Sequence, residues 1–275
     1  MSDQGKYAEN QRTQYDEKSG TIEKARAQVA PNYEELRRAA PNFARMVINN
    51  YLLRRTMRLP QGVAEADVYR QLRVLDFGCG VGRVMEGFVE AGVPNIDGAD
   101  ISQVMLEHAK ASALLAKSAF FLTSGMDAGN PPTNHYDIAT AFLVLHHIPM
   151  RQTRIDILRS LANSLKDDGM VFIELKIFPG ATQRRIPHNH ASWDENMLAR
   201  HTNSASDVWV TPDTLGMVYD DLRLFFKDIA MIESDSSLDY YNYNSEAIYQ
   251  YGFNPVYFAG SKKSQLLSLL KGPVV

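Results

Sequence analysis

The sequence predicts an α/β fold, a doubly wound and mostly parallel sheet with helices on both faces, and three observations predict it. The first is VLDFGCGVGRV, Val74 to Val84. A short apolar run ends there at a glycine turn, and the pattern restarts at helical spacing through Val84, Met85, Phe88 and Val89. Strand, turn and helix open a nucleotide-binding βαβ unit, in which bare N–H groups and a helix N-terminus face the ligand. The second is that strand and helix signals alternate from about residue 70 onward. The third is a carboxylate ending each of the first two strands, Asp76 and Asp100.

The elements follow in order. Residues 1 to about 20 are polar and read as a mobile arm or the start of a lid. Thr21 to Leu59 carries helical signals: Asn32 and Glu35 have capping-box spacing, and a second helix is expected from near Asn42. Its buried face would hold Phe43, Met46, Val47, Tyr51 and Met57, with Arg54, Arg55 and Arg58 on the solvated side. The first strand, about Arg73 to Phe77, runs into the turn, and its helix stops at Gly92 and Pro94. Asn95 to Asp100 is the second strand, and Ser102 caps a helix through Leu114. Ala119 to Thr123 and Tyr136 to Leu143 are strands three and four. Ile155, Leu158, Leu161 and Leu165 mark a helix stopping at Gly169, and Met170 to Ile177 is strand five. From Phe178 to Val210 periodicity is lost, which suits a cap over a substrate, with a short helix near Asp194 to Arg200. A helix from Thr211 to Leu222 and strands at Phe226 to Ile232 and Val256 to Ser261 complete the chain, around a loop holding Tyr240, Tyr241, Tyr243, Tyr249 and Tyr251.

A chain of 275 residues has room for a large core. Its net charge of −3, from 29 basic and 32 acidic residues, gives no electrostatic reason to expect nucleic acid. No long uncharged apolar run is present, so a soluble protein without a membrane partner is expected. Cys79 is the single cysteine, which excludes an internal disulfide and suits a reducing cytoplasm. It sits inside the glycine turn, where a small packed side chain is the simpler reading than a nucleophile. Oligomeric state is not legible.

A dinucleotide site has use for the carboxylate at Asp100 but not for one at Asp76, where a pyrophosphate would pass. Negative charge there suits a cationic ligand. An acidic strand end, G-x-G-x-G and a second acidic strand end resemble motifs I and II of class I S-adenosylmethionine-dependent methyltransferases. The resemblance implies a Rossmann-like seven-stranded sheet whose final strand pair contains one antiparallel strand. It also implies an N-terminal helical lid, residues 1–62, on a cofactor-binding domain, residues 63–275, with the cap inserted at about 178–212. It makes S-adenosylmethionine the cofactor and S-adenosylhomocysteine the product. Gly78, Gly80 and Gly82 would let backbone approach the methionyl and ribose parts, Asp76 would offset the ammonium, and Asp100 would take both ribose hydroxyls. Ile101 would lie on the adenine, Met126 and Asp127 at its edge, and Phe142 and Leu143 near the transferable methyl. Arg83 would hold the cofactor carboxylate or form a surface ion pair, and Tyr15 would touch the cofactor or simply pack.

His147 and His146 follow the fourth strand, where a neutral imidazole is placed to take a hydroxyl proton; packing or capping is the plainer alternative. No metal is expected, because a cluster of these with His188 and His190 lacks the carboxylate that related metal-using enzymes carry. Asn130, Pro131 and Pro132 precede strand four rather than follow it, so they read as a loop breaker and not as an adenine-methylating motif. In the cap, Arg184, Arg185, Trp193 and Trp209 would wall or clamp a substrate, or pack within the cap itself. The acceptor expected is a small molecule, with a hydroxyl of a sugar or secondary metabolite first. Small-molecule N-methylation and a cofactor-binding protein that does not methylate stand as alternatives.

Overall fold

Apolar runs and glycine turns resolve into one seven-stranded sheet in a computed structural model that describes residues 3–29, 33–54, 64–148, 150–177, 197–200, 209–212, 215–232 and 254–262. Its strands are β1 (Arg73–Phe77), β2 (Asn95–Asp100), β3 (Phe120–Leu122), β4 (Tyr136–Phe142), β5 (Leu165–Ile177), β8 (Lys227–Ile232) and β9 (Asn254–Ser261). A separate antiparallel hairpin joins β6 (Met197–Arg200) to β7 (Trp209–Pro212). The sheet order is β3-β2-β1-β4-β5-β9-β8, and β9 runs antiparallel to both its neighbours. This is the Rossmann-like doubly wound sheet expected, with its order reversing between β1 and β4, where ligands bind at the carboxyl ends of strands.

Alternation along the strands divides the core. Val74, Ile96, Ile138 and Phe172 face one layer of helices, while Leu75, Ala99, Ala139, Val171 and Ile173 face the other. The first layer contains α3 (Tyr33–Arg54), α5 (Arg83–Glu90) and α6 (Gln103–Lys110); the second contains α7 (Arg151–Ser164) and α8 (Leu215–Leu222). A buried ion pair from Arg154 to Asp221, 3.2 Å, ties α7 to α8. The short α4 (Glu65–Tyr69) leads into β1, and α1 (Asp3–Lys18) and α2 (Ile22–Val29) precede α3.

Several expectations are corrected. Residues 3–18 form a helix rather than a loose arm. The helix expected from near Asn42 begins at Tyr33 and runs through Pro41. Proline deprives that turn of one donor. Contact with α5 holds the helix across the gap: a Cβ on Gly87 would fall 2.6 Å from Ala40, and Arg37 bonds both Glu86 and Glu90. Phe43, Val47 and Tyr51 form its buried stripe as expected, but Arg54 is half-buried, and Asn32, Arg55, Met57 and Arg58 lie outside the described residues. The helix capped by Ser102 stops at Lys110, and a separate 3-10 turn at Ala113–Leu115 follows. The helix expected to stop at Gly169 ends at Ser164, whose hydroxyl donates to the Leu161 carbonyl, and the chain passes directly into β5. The short helix expected near 194–200 is instead strand β6 over Met197–Arg200, because pairing with Trp209–Pro212 supplies a ladder that outweighs local helix preference. The same pairing removes Thr211 and Pro212 from the following helix, which starts at Leu215.

Candidate cofactor-binding site

β1 ends at the sheet's reversal point, so the turn after Phe77 is exposed to ligand while its flanks are buried. Gly78, Gly80 and Gly82 all hold positive φ, +74°, +53° and +85°. Neighbouring groups supply a second reason for two of them. A Cβ on Gly78 would lie 2.1 Å from Val144, and one on Gly82 would lie 2.6 Å from Leu115 and 3.3 Å from Ala109. Gly82 therefore serves close packing of the turn on α6 and the 3-10 turn after it.

Four amides of this turn are used internally, which narrows the expectation of bare N–H groups. Gly78 and Cys79 both donate to the Ala99 carbonyl, at 2.7 and 3.0 Å, and Gly82 donates to Cys79 at 2.9 Å. Gly80 donates to Asp100 Oδ2 at 2.8 Å, and Ser102 donates to Asp100 Oδ1 at 2.9 Å. Asp100 is thereby held by a backbone amide on each oxygen, with the Ile101 amide also bearing on it and lone pairs left for a diol. Cys79 is buried under the loop as expected, and burial pushes its thiol well above the ordinary range.

Asp76 is 2% exposed and accepts a 2.7 Å hydrogen bond from Thr140 of β4, its direct neighbour across the ladder. Burial raises its carboxyl to about 7; the Thr140 hydroxyl and Arg83 pull the other way, and Asp100 adds to the rise. Asp100 is also raised, first by burial, against three backbone donors, with Asp16 contributing repulsion. Among the described residues neither Asp76 nor Asp100 forms a salt bridge. Two buried carboxylates beside engaged amides disfavour a phosphate and fit a cation that also offers hydroxyl groups. Arg83 is buried rather than on the surface, so the surface ion pair does not apply.

The remaining site residues surround this centre. Gly125 sits against Ile101, where a Cβ would come 2.7 Å from its Cδ1, and 2.9 Å from Ala8 of α1. Met126 is exposed, and Asp127 Oδ1 accepts from Gly129 at 2.8 Å in a local turn. Phe142 is buried edge-to-face on Phe43 of α3, with ring centroids 4.5 Å apart. Leu143 stands just past β4 at φ +59°, its amide donating to Glu174. Held in a conformation side chains avoid, it marks where the chain bends sharply over the site. A 3-10 turn, Leu145–His147, follows; His147 is half-buried, and β7 lies beside this turn. The side chain of His146, and His188, His190, Arg184, Arg185 and Trp193 altogether, lie outside the described residues, as does the tyrosine loop.

Sequence reasoning missed the residues that close the site from above. Arg12 of α1 donates to the carbonyls of Ile101 and Thr123, both at 3.2 Å, joining the ends of β2 and β3. Asp16 accepts from Ser102 Oγ at 2.5 Å and from the Val104 amide at 3.4 Å. Tyr15 packs with Ile22 against Ala25, Tyr33, Val81 and Met105, the packing alternative. An i, i+4 spacing of Ala8, Arg12 and Asp16 was visible, but a helix this polar gives no buried stripe to reveal which face docks.

A family model described as a methyltransferase domain matches residues 23–208. The ubiquinone biosynthesis O-methyltransferase of Neisseria meningitidis serogroup C is 32% identical over 119 residues, 42% of this chain and 48% of that protein. The protein of the same name from Hydrogenovibrio crunogenus is 27% identical over 176 residues, 61% of this chain and 68% of that protein. The chain thus spans from about half to two thirds of the length of these relatives. A crystal structure of an S-adenosylmethionine-dependent methyltransferase from Mesorhizobium loti shares the fold at TM-score 0.52 and 17% identity, over 73% of this chain and 99% of that one. The matched segment runs from α2 through β6 and includes the turn, both carboxylates and the bend after β4, and the chain belongs to the methyltransferase-domain family, within the class I S-adenosylmethionine-dependent methyltransferases.

Proposed function

We propose that this chain methylates a hydroxyl group of a small molecule, a sugar or a secondary metabolite, using S-adenosylmethionine. One observation carries the reading: two buried carboxylates flank a turn in which Gly78, Cys79, Gly80 and Gly82 already give their amides to internal acceptors. The cofactor, when bound, supplies an electrophilic methyl group on its sulfonium. Asp76 accepts the ligand's ammonium group, and Asp100, held by Gly80 and Ser102, accepts the ribose hydroxyls. Ile101 packs on the adenine, with Met126 and Asp127 at its edge. α1 and α2 act as the lid, Arg12 pinning the strand ends on either side of the adenine.

The acceptor side lies at the end of β4, past Phe142 and Leu143, where the 3-10 turn lies beside β7. Alignment for in-line displacement and exclusion of water supply much of the acceleration. His147 takes the hydroxyl proton onto an imidazole nitrogen as the acceptor oxygen attacks. Both relatives named above are O-methyltransferases, which favours oxygen over nitrogen as the acceptor atom. A reducing, cytoplasmic setting fits a chain whose single cysteine is buried. The test is calorimetric titration with S-adenosylmethionine, followed by incubation with a panel of phenols, sugars and amines while S-adenosylhomocysteine is measured. Binding in the micromolar range with turnover on hydroxyl acceptors is expected. Absence of binding would remove the reading, and binding without product from any acceptor would leave a cofactor-binding protein.

A further inference from the structure

The site contains a buried polar side chain with no place in the reaction just described. Thr140, in the middle of β4, is fully buried among apolar neighbours, where valine or isoleucine would fit a central parallel strand equally well. Its hydroxyl lies 2.7 Å from Asp76 Oδ1 and 3.4 Å from the Leu75 carbonyl. The ladder sets this geometry, because Asp76 and Thr140 are register partners on β1 and β4. No donor among the described residues reaches Asp76 Oδ2.

We propose that Thr140 is a positioning residue of the cofactor site: its hydroxyl holds Asp76 by Oδ1 and leaves Oδ2 for the ligand's ammonium group. The inference rests on the S-adenosylmethionine reading and deepens it. A hydroxyl that donates to a carboxylate favours the charged form, and the charged form is the one an ammonium needs. The other groups bearing on Asp76 are Arg83 on α5, which also favours the charge, and Asp100 on β2, which opposes it. Cys79, in the turn beside it, is held protonated by burial and adds no charge.

Thr140→Val removes the donor while keeping the shape, and Thr140→Ser restores it. The probes are S-adenosylmethionine and S-adenosylhomocysteine, which share the ammonium while only the first carries a sulfonium. Affinity is measured calorimetrically from pH 5.5 to 9, and the Asp76 carboxyl is followed by carbon NMR in the ligand-free protein. For wild type the affinity profile is a bell, with an acid limb set by Asp76 near pH 7 and an alkaline limb set by the ligand's α-amino group at about 8. In T140V the acid limb moves up by about one pH unit and the alkaline limb stays, so affinity falls about tenfold at pH 6 and about twofold at pH 8. T140S retains the wild-type bell, and both probes behave alike. A T140V profile that superimposes on wild type, or that drops equally at every pH, overturns the proposal. If wild type binds neither probe, the cofactor reading fails with it, while an Asp76 titration unmoved by T140V refutes the Thr140 coupling separately.

Discussion

Replacing Asp76 by asparagine should stabilise the ligand-free protein at alkaline pH while disabling its cofactor site. Asp76 is 2% exposed, and burial raises its carboxyl from its ordinary value near 3.8 to about 7. The folded state therefore binds a proton that the unfolded chain releases between about pH 4 and pH 7. Stability contributed by that proton is full below pH 4, declines as pH rises, and is gone above about 7. At 1.36 kcal/mol for each pH unit, the rise corresponds to about 4 kcal/mol, an upper bound because relaxation and water entry reduce it. Against the 5–15 kcal/mol typical of a whole domain this is a large fraction. Asparagine keeps an oxygen for the Thr140 hydroxyl and carries no charge at any pH. Urea unfolding of the ligand-free proteins at pH 5 and pH 8 provides the assay. D76N should exceed wild type by about 1–2 kcal/mol at pH 5 and by about 2–4 kcal/mol at pH 8. Asp100 contributes a slope of the same sign in both proteins, so the comparison is between the two slopes. The variant should also bind S-adenosylmethionine about a hundredfold more weakly, since a buried partner for its ammonium is lost. Loss of stability in D76N at pH 8, or a fall in stability from pH 5 to pH 8 as steep in D76N as in wild type, would refute the reasoning.

Three further substitutions test other parts of the site. Arg12→Ala removes both carbonyl bonds that join α1 to Ile101 and Thr123, and should raise the cofactor Kd about tenfold while amide exchange over residues 3–18 speeds up. Gly82→Ala forces a side chain into φ +85° against Leu115, and should destabilise by about 3 kcal/mol in urea melts; Gly20→Ala, with nothing within 4 Å, should change stability by less than about 0.5 kcal/mol. His147→Gln should lower kcat by about a hundredfold or more with cofactor affinity unchanged, and a kcat within threefold of wild type would remove it as the general base.

What the sequence made legible and what it hid divide on a physical line. β1 and β2 match the expected bounds residue for residue, because turn signals bracket them: the glycine bend follows Phe77, Gly92 and Pro94 precede Asn95, and the Ser102 cap follows Asp100. Ser102 caps α6 as its position requires, its side chain accepting from Met105. Such signals are local, so neighbouring residues suffice to read them. The hairpin β6–β7 is different: MLAR has no intrinsic strand preference and becomes one by pairing with a segment nine residues beyond its end. α1 was hidden for the opposite reason, since it docks through polar side chains on backbone groups and leaves no apolar period.

The turn itself shows the limit most clearly. Its glycines and flanking acids announce a ligand site, yet their spacing equally suits a cradle of free amides. Only the fold shows Gly78, Cys79 and Gly80 giving their N–H groups to Ala99 and Asp100. That use of the amides changes the chemistry: the first three amides of the bend are occupied, and two buried carboxylates flank it. On the cofactor reading proposed above, charge rather than these amides selects the ligand. It follows that the affinity of this site for S-adenosylmethionine should fall together with its Asp76 charge, whereas a site built on free amides would bind independently of pH in the range where Asp76 titrates.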